Sequence, residues 1–304
     1  NMVVCDDLSN DGEETFVLSD QDAAILNGQA ATVTYHLTQL DAIDGIAPLN
    51  AAGYQNISNP QTVFARVTDN SPLACSETTS FDLVVNRRAV FTVANDMIVC
   101  DDVTNDGIAI FDLTSQDADI LGSQTATENT IRYFTSQADA TAGVAGTEIV
   151  NPATYSNATV GGETIFVRIE NNAATDCADF GSFELIINQL PVANPVADVV
   201  VCDDVSNDGV DVFNFDTYTS DVLLLQDPTL FFVSYHESPA DAASGSNPLP
   251  TNGYTNISNP QTIYVRIENT NNDTCQDSTT TFDLIINRRA VFTAANDMVV
   301  CDDV

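Results

Sequence analysis

Short apolar stretches broken every few positions by Gly, Pro, Asn or Asp run the length of the chain. The clearest alternates with period two, as Val63-Phe64-Ala65-Arg66-Val67, Ile165-Phe166-Val167-Arg168-Ile169 and Ile263-Tyr264-Val265-Arg266-Ile267. Such alternation marks a strand with one face buried. Around it lie further strand-like runs: Met2 to Asp7, Met97 to Asp102 and Val199 to Asp204; Thr32 to His36, Ile131 to Phe134 and Phe232 to His236; and a closing run at Phe81 to Asn86, Phe183 to Asn188 and Phe282 to Asn287. Asn-Asp-Gly at Asn10, Asn105 and Asn207 sits between two apolar runs and predicts a turn, because Gly tolerates positive φ. Ser19-x-x-Asp22 and Thr114-x-x-Asp117 resemble helix caps, with Gly28 or Gly122 as stops, and predict a short helix. An Ala/Asp/Gly-rich crossover then predicts at most one more helical turn.

The elements recur in order. Cys-Asp-Asp stands at Cys5, Cys100, Cys202 and Cys301, spaced by 95, 102 and 99 residues. Each period is a whole small domain, longer than the 20–50 residue unit of a solenoid. The expected division is repeat 1 at 1–88, repeat 2 at 89–190, repeat 3 at 191–289 and the start of repeat 4 at 290–304. About six alternating strands per period predict an all-β chain of tandem immunoglobulin-like β-sandwich repeats, each with one or two short helical insertions. A true immunoglobulin domain is not expected, since Trp is absent and the Cys positions do not suit an inter-sheet bridge. Both ends of the chain read almost alike, which suggests a slice of a longer periodic protein.

Charge changes the picture of partners. Acidic residues number 44 against 8 basic ones, all Arg, for a net charge of -36. Such a chain repels phosphate backbones and anionic lipid, so nucleic-acid partners are excluded. No apolar run reaches the roughly 18 residues of a membrane helix, so direct membrane insertion is not expected. Apolar residues make up 44% of the chain, enough for packed cores.

Two Cys per period, in a Lys-free acidic chain without Cys-x-x-Cys or a His cluster, predict disulfides and an oxidising compartment. Pairing within a repeat (Cys5 with Cys75, Cys100 with Cys177, Cys202 with Cys275) is preferred, because each domain could then fold alone. Pairing across a boundary, Cys75 with Cys100 and so on, is the alternative; under either scheme one Cys lacks a partner.

Asp6, Asp7, Asn10 and Asp11 cluster before Gly12, and the set returns at Asp101, Asp102, Asn105 and Asp106 and at Asp203, Asp204, Asn207 and Asp208. Hard oxygen ligands before a Gly turn suit Ca²⁺. The spacing does not match an EF-hand, and a solvated turn is the favoured reading. His36 and His236 occupy a position held by Phe134 in repeat 2, which suggests strand-surface residues rather than ligands. Arg66, Arg168 and Arg266 are expected on the solvent face, beside acidic groups. Arg87, Arg88, Arg288 and Arg289 lie in junctions, where they could meet an acidic loop of the adjoining domain and set the inter-domain angle. The junction between repeats 2 and 3 lacks such a pair, and the shared Arg-Arg-Ala-Val-Phe hints at a higher period of two domains. No catalytic constellation stands out, and no enzyme is expected.

The strings Val-Val-Cys-Asp-Asp-x-x-Asn-Asp-Gly-x-x-x-Phe, Gly-Tyr-x-Asn-Ile-Ser-Asn-Pro-Gln-Thr-Ile/Val-Tyr/Phe-x-Arg and Phe-Asp-Leu-Ile/Val-Ile/Val-Asn resemble tandem repeats of giant secreted surface proteins of Bacteroidota, including gliding-motility adhesins. The resemblance implies export by the type IX system, a cell-surface location and a filament or stalk of many domains. The expected partners are neighbouring repeats of the same chain, other copies in a filament, and surface polysaccharide. The alternative is a carbohydrate- or ligand-binding module, with recognition in the variable crossovers Gln39 to Asn50, Gln137 to Thr147 and Glu237 to Pro248.

Overall fold

In each repeat the alternating strands assemble into one main sheet, four-stranded in repeats 1 and 2 and five-stranded in repeat 3, with the Arg-bearing strand in its interior. In repeat 1 the opening strand Met2–Cys5 runs parallel to the closing strand Ser76–Asn86, and Cys5 stands opposite Asn86. The closing strand pairs antiparallel with Gln61–Asp69, which pairs antiparallel with Ala31–His36. Repeat 3 repeats the order with Val199–Cys202, Thr281–Asn287, Gln261–Asn269 and Phe231–His236, the strand Asn272–Asp277 extending its hairpin. Repeat 2 has the same order with Met97–Cys100, Ala174–Asn188, Gly162–Asn171 and Asn129–Phe134. This computed structural model describes residues 1–292; the expected start of repeat 4 lies outside the described residues beyond Phe292, Cys301 with it.

The second layer is thin. A two-stranded ribbon, Thr15–Phe16 with Tyr54–Gln55 in repeat 1, faces the sheet together with two short helical segments. Phe16 and Leu18 from this layer are buried against Tyr35, Val63, Ala65, Leu83 and Val85 from the sheet. Repeat 3 packs Phe213, Phe215 and Val222 against Tyr235, Ile263, Val265 and Leu284 in the same way. The repeats are therefore immunoglobulin-like sandwiches in which ribbon and helices do the work of a second sheet. The chain divides into two compact units, one of Asn1–Met97, Ile110–Ser156 and Thr164–Leu185, the other of Ile98–Ala109, Asn157–Glu163 and Ile186 onward. Successive repeats thus share a unit.

The helical turn in each crossover is real and is built one way three times: Gln39–Asp44, Gln137–Ala142 and Pro239–Ser244. Thr38, Ser136 and Ser238 cap them by accepting the amide of Asp41, Asp139 and Asp241. A left-handed Gly closes each one, at Gly45, Gly143 and Gly245.

Those closures explain the strand Arg, which corrects the expectation of a solvent face. Arg168 and Arg266 are only 6% and 5% exposed. Arg168 donates to the carbonyls of Ala140 and Thr141, and Arg266 to those of Ala242 and Ala243, at the ends of the crossover helices. Arg66 does the same to Ala42 and Ile43. A cation there satisfies the carbonyls that a helix C-terminus leaves unpaired and complements its dipole. A Cβ on Gly143 would lie 2.8 Å from the Arg168 guanidinium carbon, so Gly also makes room for the cation.

The two His are likewise not on the surface: His36 and His236 are fully buried. Each ring bridges a hydroxyl on its own strand, Thr34 or Ser234, and a carbonyl of the crossover, Ile46 or Ser246. Burial lowers the His236 pKa, against the pull of the Ser246 carbonyl. A folded pKa below the unfolded value means the neutral ring stabilises the fold above the ordinary His range, and that stability is lost as pH falls through it. Denaturant midpoints of the chain should therefore drop on moving from pH 7.5 to 5.5. His236→Phe, the residue that fills this position in repeat 2, should flatten part of that drop. An unchanged pH profile in the variant would show that His236 does not titrate on unfolding.

Candidate functional site

The residues the sequence singles out collect at the ends of the repeats. At one end, Asp6, Asp101 and Asp203 are buried, and each accepts the backbone N–H of the turn glycine, Gly12, Gly107 or Gly209. Asp7, Asp102 and Asp204 each accept from the residue two positions on, and these bonds to Ser9, Thr104 and Ser206 lower their carboxyl pKa values. Asp11, Asp106 and Asp208 close equivalent short turns on Glu13, Ile108 and Val210. Most loop carboxylates are thus engaged by amides of their own loop, which fits the turn reading.

Asn10, Asn105 and Asn207 adopt left-handed backbone at φ 51°, 47° and 51°. Each side-chain amide clamps the backbone leaving the repeat: Asn10 both donates to and accepts from Arg88, and Asn105 does so with Leu190 and Asn207 with Arg289. These Asn fix where the junction departs. A second Asn, which sequence reasoning left unassigned, is buried beneath the turn: Asn56, Asn157 or Asn256. Asn157 donates to Gly107 and Thr159 and accepts from Ala109, so one side chain satisfies three backbone groups.

Among the described residues one acidic group converges as a cation site would. Oxygens of Asp6, Asp7 and Glu14 lie within 4.8 Å of one another. Asp6 Oδ1 is buried without a donor. Glu14 was not foreseen, because Ala109 and Asp211 follow at its place in the other repeats.

The disulfides are neither of the pairings expected from sequence. Cys5 bonds Cys177, and Cys100 bonds Cys275, with Cα separations of 5.2 and 5.3 Å. The first Cys of one repeat is joined to the second Cys of the next, while Cys75 and Cys202 are free and exposed. Strand register explains why Cys5 cannot reach Cys75. Cys5 lies opposite Asn86, at the far end of the closing strand, and Cys75 precedes Ser76 at its start. Some ten strand residues put them on the order of 30 Å apart, whereas a disulfide needs less than about 7 Å between Cα atoms. The same register separates the two Cys of every repeat.

Backbone contacts reinforce each bridge. In the first unit, Ala89 donates to the Cys177 carbonyl and Phe91 to Asp179, and Gln124 clamps both backbone groups of Val90. Asn171 donates to the Arg87 carbonyl. Arg88 reaches Asp179 at 3.9 Å, so the junction Arg meets the hairpin of the next repeat rather than its acidic loop. In the second unit, Gln226 clamps Val192, Ala193 donates to Asp277, and Asn269 donates to the Gln189 carbonyl. Arg288 and Arg289 follow the third closing strand, where Asn207 holds the Arg289 backbone. Gln124 and Gln226 escaped the sequence reading, although each stands three residues beyond a helix end.

A profile for one family matches the chain three times, over residues 1–89, 96–191 and 198–290. The chain belongs to the Flavobacterium inter-domain disulphide bond domain family. The two bridges between successive FIDD repeats are the feature that description states. No curated protein matches the chain. Among solved structures it is similar to Sidekick-1 immunoglobulin domains 1–4, at 11% identity and TM-score 0.30, over 94% of this chain and 73% of that one. The insect immune protein hemolin aligns at 8% identity and TM-score 0.24, over 94% and 74%. Drosophila N-cadherin EC1-4 aligns at 11% identity and TM-score 0.22, over 86% and 67%. Among the described residues no helix is long and apolar enough to cross a membrane.

Proposed function

We propose that these FIDD repeats are a non-enzymatic segment of an extracellular adhesive stalk, exported by the type IX route and covalently stapled from repeat to repeat. The observation that carries the reading is the bonding of each repeat to the next through a disulfide as well as through the backbone. Bridges of this kind persist in oxidising surroundings outside the cytosol. They place a covalent tie where tension between domains would otherwise act on one peptide strand. An antibody against the three repeats should label intact cells of the producing organism, and deleting the repeats should reduce attachment or surface movement. Labelling only after permeabilisation would remove the surface placement, and unchanged attachment and movement would remove the adhesive role.

A second reading, supported by the Asp6, Asp7 and Glu14 group, is Ca²⁺ uptake at repeat 1. Its oxygen donors suit a hard cation. Melting in Ca²⁺ should then exceed melting in ionic-strength-matched Na⁺, by about 2.7 kcal/mol at one hundred times Kd. Asp7→Asn and Glu14→Gln should abolish that difference and leave the general salt effect. Superimposed curves would strike calcium from the description.

A further inference from the structure

We propose that the groove of repeat 1 lined by Ala24, Ile25, Gln29, Val67, Glu77 and Thr79 receives the junction strand of another FIDD repeat, and that residue 79 selects a junction carrying a small side chain. The inference rests on junction geometry and not on the adhesive role.

The same groove exists in the other two repeats, where a junction strand fills it. The donor set is shared. Gln124 and Gln226 hold both backbone groups of Val90 and Val192, and Asp179 and Asp277 accept the next amide. The helix-end carbonyls of Ile120 and Val222 accept the amide after that, from Thr92 and Asn194. Repeat 1 has every counterpart: Gln29 three residues beyond its helix, Glu77 two residues after Cys75, and Ile25 at the helix end. None of them is covered. Ile120 and Val222 are fully buried, while Ile25 is half exposed. Cys177 and Cys275 are buried beside their filled grooves, whereas Cys75 is exposed beside its open one.

Backbone clamps alone would accept any strand, so selectivity lies in one side-chain pair. Two residues before the closing Phe stand Thr79, Gly181 and Thr280. Where the acceptor is Gly181, the junction residue is Phe91, and a Cβ on Gly181 would lie 2.1 Å from the Phe91 ring. Gly181 is not in left-handed backbone, so the ring and not backbone strain excludes a side chain there. Where the acceptor is Thr280, the junction residue is Ala193, and the Thr280 hydroxyl donates to the Ala193 carbonyl. Large meets Gly, and small meets Thr. Thr79 therefore assigns repeat 1 to strands of the Val-Ala kind. The third junction, exposed at Val291 and Phe292, is of the Val-Phe kind, and by the same rule it would call for a Gly-bearing acceptor. Acceptors alternating in this way along the chain would hold repeats in a fixed order.

The test uses capped peptides Leu-Pro-Val-Ala-Asn-Pro-Val, the sequence of residues 190–196, and the same peptide with Phe for Ala, titrated into the full chain by NMR. The Ala peptide should shift resonances of Gln29, Glu77 and Thr79 and bind about tenfold or more tighter than the Phe peptide, the effect expected of one overpacked side chain. Thr79→Gly should narrow or reverse that preference. Binding by neither peptide, or equal binding by both, would overturn the proposal. Inside the chain, Gly181→Thr should speed reduction of the Cys5–Cys177 bond, and adding Phe91→Ala should restore the slower rate. A Gly181→Thr chain reduced at the original rate would also overturn it.

Discussion

Stretched from its two ends, the oxidised chain should become taut near 350 Å, against roughly 1,000 Å once reduced, at about 3.5 Å per residue. The shortest covalent path from residue 1 to residue 292 runs to Cys5, across to Cys177, back to Cys100, across to Cys275 and onward, roughly one hundred residues in all. Everything else is held in closed loops and carries no tension. Single-molecule force spectroscopy, with and without reductant, measures both limits. Bridges closed inside each repeat would give a shorter path, near 260 Å at the same rise. That value, or one limit under both conditions, would overturn the pairing. The bridges also act on stability at zero force. Closing a loop of 172 residues removes about 5 kcal/mol of unfolded-chain entropy, for one bridge taken alone.

The largest loss from a single substitution should come from Arg168→Met. Arg168 is 6% exposed and pairs with Glu170 at 2.7 Å. It also donates to the Thr175 carbonyl and to the crossover-helix carbonyls, and it lies over the Phe180 ring. Met matches its length but donates nothing, so buried Glu170 keeps only the longer 3.8 Å pairing with Arg132 and several carbonyls lose their donor. Removing one partner of a buried pair costs about 3–5 kcal/mol. In a domain of this size that lowers Tm by roughly 15 °C or more. Arg87→Ala, at an exposed position, should stay within about 0.5 kcal/mol of the parent. Thermal melts of both variants decide the matter, and a loss below 1 kcal/mol for Arg168→Met would show that the crossover helix does not depend on its cation.

Much of the architecture was legible because its causes are local. The Val63 to Val67 alternation fixes a strand face, Asn10-Asp11-Gly12 fixes a turn, and Cys-Asp-Asp returning every hundred residues or so marks the repeat. The crossover helices were half seen, since the Thr38 and Asp41 cap is written in the sequence but the cation that closes the far end is not. Arg66, His36 and Asn56 were misread or passed over for one reason. A polar residue in an apolar run is at the surface unless something distant satisfies it, and their partners lie up to 44 residues away.

Sequence alone therefore determined the all-β class, the repeat, the turns and an extracellular style of cysteine use, all of which follow from periodicity and composition. Only the tertiary structure decided which cysteines meet. Because Cys5 and Cys75 belong to opposite ends of one parallel-paired sheet edge, spacing along the chain says nothing useful about their distance. Register put them out of reach of each other and left Cys5 at a pole where Cys177 of the next repeat supplies the partner. The buried Arg and His were settled in the same way, since a side chain's environment depends on the elements folded over it.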